Sequence, residues 1–240
     1  KPQRYKQFQP ILDDIAQHPS QRYYILKSII LRNLYGVDIM AEAVEIAKLR
    51  LFLKLVSVLE PDYAKRNMGI EPLPDIDFNI RAGNTLVGFG TKAELDKGLT
   101  YTLDGQLMQA SIEEKCDMVA KAFEHFKAIQ LGEGQDYASF RAAKDTLLER
   151  LAALREELDR YLGKEYGKDE GHSAKQFAAW KESHKPFHWF AEYYGIVEGR
   201  GGFDVIIGNP PWMEYSKAKS DYTAKNYETE ACGNLYGMCT

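Results

Sequence analysis

The segment best suited to chemistry is Asn209-Pro210-Pro211-Trp212. Two adjacent prolines donate no backbone hydrogen bond and fix φ near about −65°, and a residue that precedes proline is pushed toward extended backbone. The side-chain oxygen of Asn209 and the backbone carbonyl of Pro210 can therefore converge, as two acceptors, on a planar exocyclic amine. Held in this way, the amine nitrogen loses conjugation with its ring and becomes a nucleophile toward a methyl sulfonium.

Trp212 would place a flat aromatic face beside these acceptors. A base drawn out of a duplex can stack on such a face, and the stacking is worth about 1–3 kcal/mol per base. The alternative without a chemical role is a simple turn, because Asn-Pro pairs are common turn formers. The preceding run, Phe203-Asp204-Val205-Ile206-Ile207, predicts a buried strand. A strand that leads into this loop favours the chemical interpretation.

Two other polar residues also follow predicted strands. Residues 34–39 predict a strand that carries Asp38 near its end, and residues 78–82 predict another that precedes Asn84. The helical apolar spacing between them favours strand–helix–strand units and a parallel sheet. Ligands bind beyond the carboxyl ends of the strands in such sheets. We therefore expect Asp38, Asn84 and Asn209 to line one site.

The middle of the chain has a different pattern. Apolar residues recur at steps of four and three on both sides of Gly132-Glu133-Gly134, which predicts an antiparallel pair of helices over about 111–130 and 136–163. We expect this pair to stand off the sheet. Its charged residues predict a solvated face; they include Glu149, Arg150, Arg155, Glu156 and Glu157.

Composition limits the possible classes of protein. Of 240 residues, 45% are hydrophobic and 28% charged, which is ordinary for a globular protein. The net charge is −4, whereas a protein that binds DNA over a long footprint usually has a basic surface. The total does not exclude a local basic groove. No apolar run reaches about 18 residues, so no membrane span is predicted. Three cysteines without metal-ligand spacing predict no metal site and suit a reducing cytoplasm.

Three stretches together resemble the amino-methyltransferase superfamily and, more closely, the Eco57I-like adenine-N6 DNA methyltransferases of restriction–modification and phage-defence systems. These stretches are residues 33–39 with 43–51, residues 79–86, and residues 186–192 with 202–212. The resemblance implies an α/β fold, with a partial Rossmann-like methyltransferase sheet and a long helical-hairpin insertion. It divides the chain into a cofactor-side part (1–104), the helical insertion (105–185) and a target-base part (186–240).

The resemblance also implies roles for particular residues. Asp38, with Ile39 beside it, would bind the ribose hydroxyls of S-adenosylmethionine, and a carboxylate at a strand end suits a diol. Asn84 would accept from the adenine amine of this cofactor, with Thr85 next to the ring. The Asn-Pro-Pro-Trp segment would hold the adenine N6 amine of double-stranded DNA.

The chain departs from this family at both ends. No Gly-x-Gly cofactor loop occurs in residues 1–32, and only a short tail follows Trp212. We therefore expect an internal fragment that is inactive alone, binds S-adenosylmethionine weakly, lacks a DNA-recognition domain and self-associates through a bare sheet edge.

Two other functions fit parts of the pattern. The same type of loop methylates exocyclic amines of RNA or the side-chain amide of glutamine in proteins. The long insertion and the Pro-Phe-His-Trp segment at residues 186–189 favour the DNA branch. Alternatively, residues 105–185 could be an interaction module on a methyltransferase scaffold, because intramolecular and intermolecular helical seams share the same period.

Overall fold

A computed structural model describes residues 8–99, 103–132, 136–210, 214–219 and 223–225, together with Asn234 and Met238. The chain forms two compact units, which divide between Ala82 and Gly83. The fold is mixed α/β, mostly helical, with a two-stranded parallel sheet. Within the described ranges, no helix is both long enough and apolar enough to cross a membrane.

The first unit is built on a strand–helix–strand motif. Its elements are α1 (Gln9–Gln17), α2 (Gln21–Asn33), β1 (Gly36–Asp38), α3 (Ala41–Val56) and β2 (Ile80–Ala82), with a 3-10 turn at Arg66–Gly69. The two strands run parallel, and Val37 lies opposite Arg81. The parallel pair and its crossover helix were predicted from alternating strand and helix patterns, and the structure confirms both.

Asn79 fixes the entry to this sheet. Its buried Nδ2 donates to the carbonyl oxygens of Ile30, Leu31 and Leu34 at 3.2, 3.2 and 3.0 Å. The last carbonyls of a helix have no partner within the helix, so Asn79 satisfies the end of α2. Its own carbonyl accepts from the backbone N–H of Gly36 at 2.9 Å, which joins the helix end to the start of β1.

The second unit contains the helical hairpin. Its helices are α4 (Lys92–Leu99), α5 (Leu103–Leu131), α6 (Tyr137–Glu165), α7 (Ala174–His184), α8 (Trp189–Glu192), α9 (Tyr194–Val197) and α10 (Tyr215–Ala218). The carboxylate of Asp136 caps α6 by accepting from the backbone N–H groups of Ala138 and Ser139.

The hairpin is antiparallel, as predicted. Along α5, the side chain of Lys115 pairs with Glu157, and the ring of Phe126 lies 5.3 Å from that of Phe140. The seam that the spacing predicted is buried; from α6 it contains Leu147, Leu151, Leu154 and Leu158, and from α5 it contains Ile112, Cys116, Val119 and Phe126.

The predicted solvated face of this hairpin is confirmed at Glu149 and Arg150, which are exposed, and only in part at Arg155, Glu156 and Glu157, which are half-buried. Arg155 pairs with the buried Glu192, and Glu156 with Lys181 at 2.6 Å. Two of the five bind α5: Glu157 pairs with Lys115, and Arg150 donates to the carbonyl of Met118 at 3.2 Å. The three are half-buried because α6 packs on two sides, whereas an apolar seam reveals only one of them.

The predicted buried strand at 203–207 is also wrong. Val205, Ile206 and Ile207 are 76%, 79% and 90% exposed, and the segment has no strand partner among the described residues. Only Phe203 is anchored, with its ring 5.7 Å from that of Tyr193. A β-branched run becomes a buried strand only when neighbouring strands satisfy its backbone groups.

Candidate active site

Two motifs that lie about a hundred residues apart in sequence run side by side in the second unit. The N–H of Asn84 donates to the carbonyl of Lys185 at 2.8 Å, and the N–H of Phe187 donates to the carbonyl of Val87 at 2.7 Å. Asn84 also forms a parallel bridge with Pro186. The structure therefore brings the Asn84 loop against the segment that leads toward Asn209.

Glycines permit this close approach. A Cβ on Gly83 would lie 2.7 Å from Cδ2 of Phe187. Gly88 has φ of +148°, and a Cβ there would lie 2.1 Å from the carbonyl oxygen of Phe187. Only glycine combines this backbone conformation with the absence of a side chain.

Asn84 is buried and partly unsatisfied. Its Oδ1 accepts from the backbone N–H of Leu86 at 3.1 Å, in a turn typical of Asn. Its Nδ2 is buried and has no partner among the described residues. Thr85, next to it, uses its carbonyl to accept from Nε1 of Trp189 at 3.4 Å. The unsatisfied atom of Asn84 is thus a donor, which suits an acceptor atom of a ligand.

Asp38 lies in the first unit, where it ends β1. It is exposed, and its Oδ1 accepts from the backbone N–H of Met40, the residue that precedes α3, at 2.8 Å. Ile39 is 39% exposed beside it. A carboxylate has acceptor capacity beyond one such bond, so the Asp38 carboxylate can still receive a hydroxyl. Taken separately, Asp38 offers an exposed acceptor and Asn84 offers a buried donor without a partner among the described residues.

The proposed target-base segment is described as far as Pro210. Asn209 is exposed and Pro210 is half-buried, and neither lies in a helix or a strand. Pro211 and Trp212 lie outside the described residues. The pair of acceptors predicted at Asn209 and Pro210 therefore lies on an open segment.

Residues beyond this segment return to the Asn84 loop. The hydroxyl of Tyr215 donates to the carbonyl of Ala224 at 2.8 Å and accepts from its N–H at 2.7 Å. Leu86 is buried in the same cluster as Tyr215, Ala218, Ala224 and Met238. The chain before and after the target-base segment thus packs on residues 84–89.

His188 and Asp159 were not predicted as part of this site. His188 is 1% exposed, and its Nδ1 accepts from the N–H of Phe89 at 3.2 Å. Its Nε2 must then carry the proton, which it donates to Oδ1 of Asp159 at 3.1 Å. Burial alone would raise the pKa of Asp159, but the hydrogen bonds from His188 and Lys181 and the charge of Lys181 outweigh it and hold that pKa below its usual range.

Sequence spacing contained one sign of this network. Asp159 follows Arg155 by four residues, so the two lie on one face of α6. Arg155 binds Glu192 in a bidentate pair, with Nη2 to Oε2 at 2.8 Å. Two charged residues spaced by four beside a leucine seam can therefore indicate that the helix has a second packed face.

Comparisons with known proteins agree with the motifs. Residues 32–238 match the family model of the Eco57I restriction-modification methylase. The chain is 31% identical, over 84% of its length, to a curated protein of Methanocaldococcus jannaschii whose name gives it as a type II restriction enzyme and methyltransferase. It spans 20% of the length of that relative. No solved structure gave a significant match. Because the family model covers most of the sequence, the chain belongs to the Eco57I restriction-modification methylase family.

Proposed function

We propose that this chain is part of an enzyme that transfers a methyl group from S-adenosylmethionine to N6 of adenine in double-stranded DNA. The observation that carries the proposal is the hydrogen-bonded pairing of the Asn84 loop with residues 185–190, which lead toward Asn209. This pairing connects Asn84, the candidate cofactor contact, to the chain that leads toward Asn209, the candidate base contact. Membership of a restriction-modification methylase family supports DNA as the substrate.

The chemistry follows from the residue types. When bound, the cofactor supplies an electrophilic methyl group on a sulfonium. The oxygen atoms of Asn209 and Pro210 accept the two N–H bonds of the target amine, which turns its lone pair out of the ring. These two contacts would hold the amine in line with that methyl group, and the amine would lose one proton to solvent on transfer. Trp212 stacks on the extruded base and offsets part of the cost of unstacking.

We infer that Asp38 and Asn84 hold the cofactor through the chain's own polar groups. The Asp38 carboxylate accepts from a ribose hydroxyl, and the Asn84 side chain meets the adenine ring beside Thr85. We also infer that β1 and β2 are neighbouring strands of a Rossmann-like sheet, and that other parts of the protein complete this sheet and recognise the DNA sequence.

The test is to identify the methylated product. The full-length protein is incubated with labelled S-adenosylmethionine and, in parallel, with duplex DNA, RNA and a glutamine-containing peptide. We expect label only in DNA and, after digestion to nucleosides, only in N6-methyl-2′-deoxyadenosine. Label in RNA or in glutamine would replace this function with one of the alternative amine acceptors, and label on cytosine would overturn the base assignment.

A pair of variants tests the base contact. Asn209→Ala should abolish transfer to DNA and leave the calorimetric affinity for S-adenosylmethionine nearly unchanged, because Asn209 meets the target amine rather than the cofactor. Asn33→Ala, at an exposed position that ends α2, is the matched control and should retain transfer. Near-normal transfer by Asn209→Ala would remove Asn209 from the mechanism.

A further inference from the structure

We propose that α6 acts as a brace that sets the position of the target-base segment from both of its ends, with Asp159 and Tyr166 as positioning residues. The proposal rests on the proposed function, since it concerns the same segment. It assigns a task in the methylation reaction to the helical insertion, whose sequence predicted a packed helical pair or an interaction module.

The segment itself needs external support. Residues 204–209, which lead into it, are all exposed and pair with no strand among the described residues. Phe203 anchors its start through the rings of Trp189 and Tyr193, at 6.0 and 5.7 Å. The position of the Asn209 oxygen therefore depends on how firmly the flanking residues are held.

On the upstream side, charged side chains of α6 bind the residues that lead toward the target-base segment. The Asp159 carboxylate accepts from Nε2 of His188 at 3.1 Å and from Nζ of Lys181 at 2.9 Å. The same carboxylate fixes the tautomer of His188, so that Nδ1 is free to accept the N–H of Phe89. Arg155, one turn earlier on α6, binds the buried Glu192. A hydrogen-bonded network of this kind fixes orientation as well as separation.

On the downstream side, the end of α6 holds the chain that follows the segment. The hydroxyl of Tyr166, the residue that caps α6, donates to the carbonyl of Thr223 at 3.0 Å. Lys225 reaches back and donates from Nζ to the carbonyl of Glu165 at 2.9 Å. Nε2 of His184, at the end of α7, accepts from the N–H of Thr223 at 3.2 Å.

Both sets of contacts lie along one stripe of the helix. Positions 155, 159, 162 and 166 recur at steps of four, three and four, which is one face of an α-helix. The leucine seam with α5 lies on the neighbouring stripe, at positions 147, 151, 154 and 158. Because the leucine seam keeps α6 straight and rigid, a shift of α6 moves the upstream and the downstream contacts together.

The experiment compares Tyr166→Phe and Asp159→Leu in the full-length protein with controls on the same helix. Tyr166→Phe removes one hydroxyl and keeps the ring against Trp180 and His184. Its control is Tyr137→Phe, at a position 74% exposed. The control for Asp159→Leu is Glu157→Gln, because Glu157 pairs with Lys115 of the partner helix and not with residues 185–190 among those described.

We expect each brace variant to lower kcat for methyl transfer by about tenfold to a hundredfold, the range that follows from small misplacement of reacting groups. KM for DNA and the affinity for S-adenosylmethionine should stay near the parent values. Asp159→Asn should recover part of the loss, because its side-chain oxygen can still accept from His188. Backbone hydrogen exchange should be faster at Phe89 in Asp159→Leu and at Thr223 in Tyr166→Phe, because these two amides donate hydrogen bonds within the upstream and downstream anchors. It should be unchanged at both amides in both controls.

The two proposals fail separately. If the parent methylates DNA and the brace variants keep both kcat and slow exchange, the brace is overturned and the function stands. Faster exchange with unchanged kcat also overturns the positioning role. If the parent does not methylate DNA, the proposed function fails, and faster exchange in Tyr166→Phe alone still supports the mechanical anchor.

Discussion

Asn84 accepts a hydrogen bond from the N–H of Leu86 at 3.1 Å, while its own Nδ2 donor is buried without a partner among the described residues. A buried donor without a partner costs about 1–3 kcal/mol. A ligand acceptor that meets Nδ2 would recover this free energy. The family resemblance implied that Asn84 acts as an acceptor, whereas in the structure the atom without a partner among the described residues is its Nδ2 donor.

We therefore predict that Asn84→Asp weakens the binding of S-adenosylmethionine to the full-length protein by about 1–3 kcal/mol, the cost of a lost bond to a buried polar group. Asp keeps the acceptor for Leu86 but replaces the donor by a second acceptor. Isothermal titration calorimetry measures the change, with Asn33→Asp as a control at an exposed position. Tighter binding by Asn84→Asp would instead support an acceptor role toward the adenine amine.

Sequence reasoning succeeded where the determining contacts are local or periodic. The two long helices follow from apolar steps of three and four, and β1 and β2 follow from short apolar runs around a helix. It failed for the run at Val205-Ile206-Ile207, because residue type indicates strand propensity and does not supply the neighbouring strands.

The buried polar contacts were missed for a related reason. Asn79 serves carbonyls that are 45 to 49 residues away, and Asp159 serves His188, 29 residues away. Neither separation has a period that a sequence pattern could reveal. Of the candidate site, the motif residues were predicted from the sequence, while the contact between Asp159 and His188 is visible only in the structure.

The close approach of Gly88 to Phe187 gives a second prediction. Gly88→Ala should lower the free energy of unfolding by more than about 1 kcal/mol, because a Cβ at this φ is strained and meets backbone. Urea denaturation of the parent and the variant measures it. Gly195→Ala is the control, since a Cβ at that helical position would meet nothing within 4 Å; it should be neutral or stabilising by up to about 1 kcal/mol. Equal effects at both positions would contradict the close approach.

His184 gives a prediction about pH. Burial lowers its pKa from the ordinary value of 6.5, and the neutral ring is required because Nε2 accepts from the N–H of Thr223. The unfolded chain therefore binds a proton more readily than the folded one. The contribution of His184 to stability is complete above about pH 6.5 and declines as the pH falls below that value.

His184→Gln should thus flatten the pH dependence of the unfolding free energy between about pH 7.5 and 5, because glutamine can accept from Thr223 without titrating. Urea unfolding at several pH values measures the slope. His125→Gln is the matched control, since His125 is an exposed residue of α5, and it should leave the slope unchanged. A variant slope at position 184 equal to that of the parent would show that the Thr223 contact does not depend on a neutral ring.

The last prediction concerns the 240-residue chain by itself. Val205, Ile206 and Ile207 form an exposed β-branched run, and a run of this kind pairs readily with another copy of itself. We expect the chain to self-associate in a concentration-dependent manner, and Ile206→Lys to reduce this association because it places a charge at the centre of the run. Sedimentation velocity over a range of concentrations measures the effect. Tyr63→Lys introduces the same charge at a position 83% exposed, outside the run, and should associate like the parent. If both variants shift the equilibrium equally, net charge governs association and the exposed run does not.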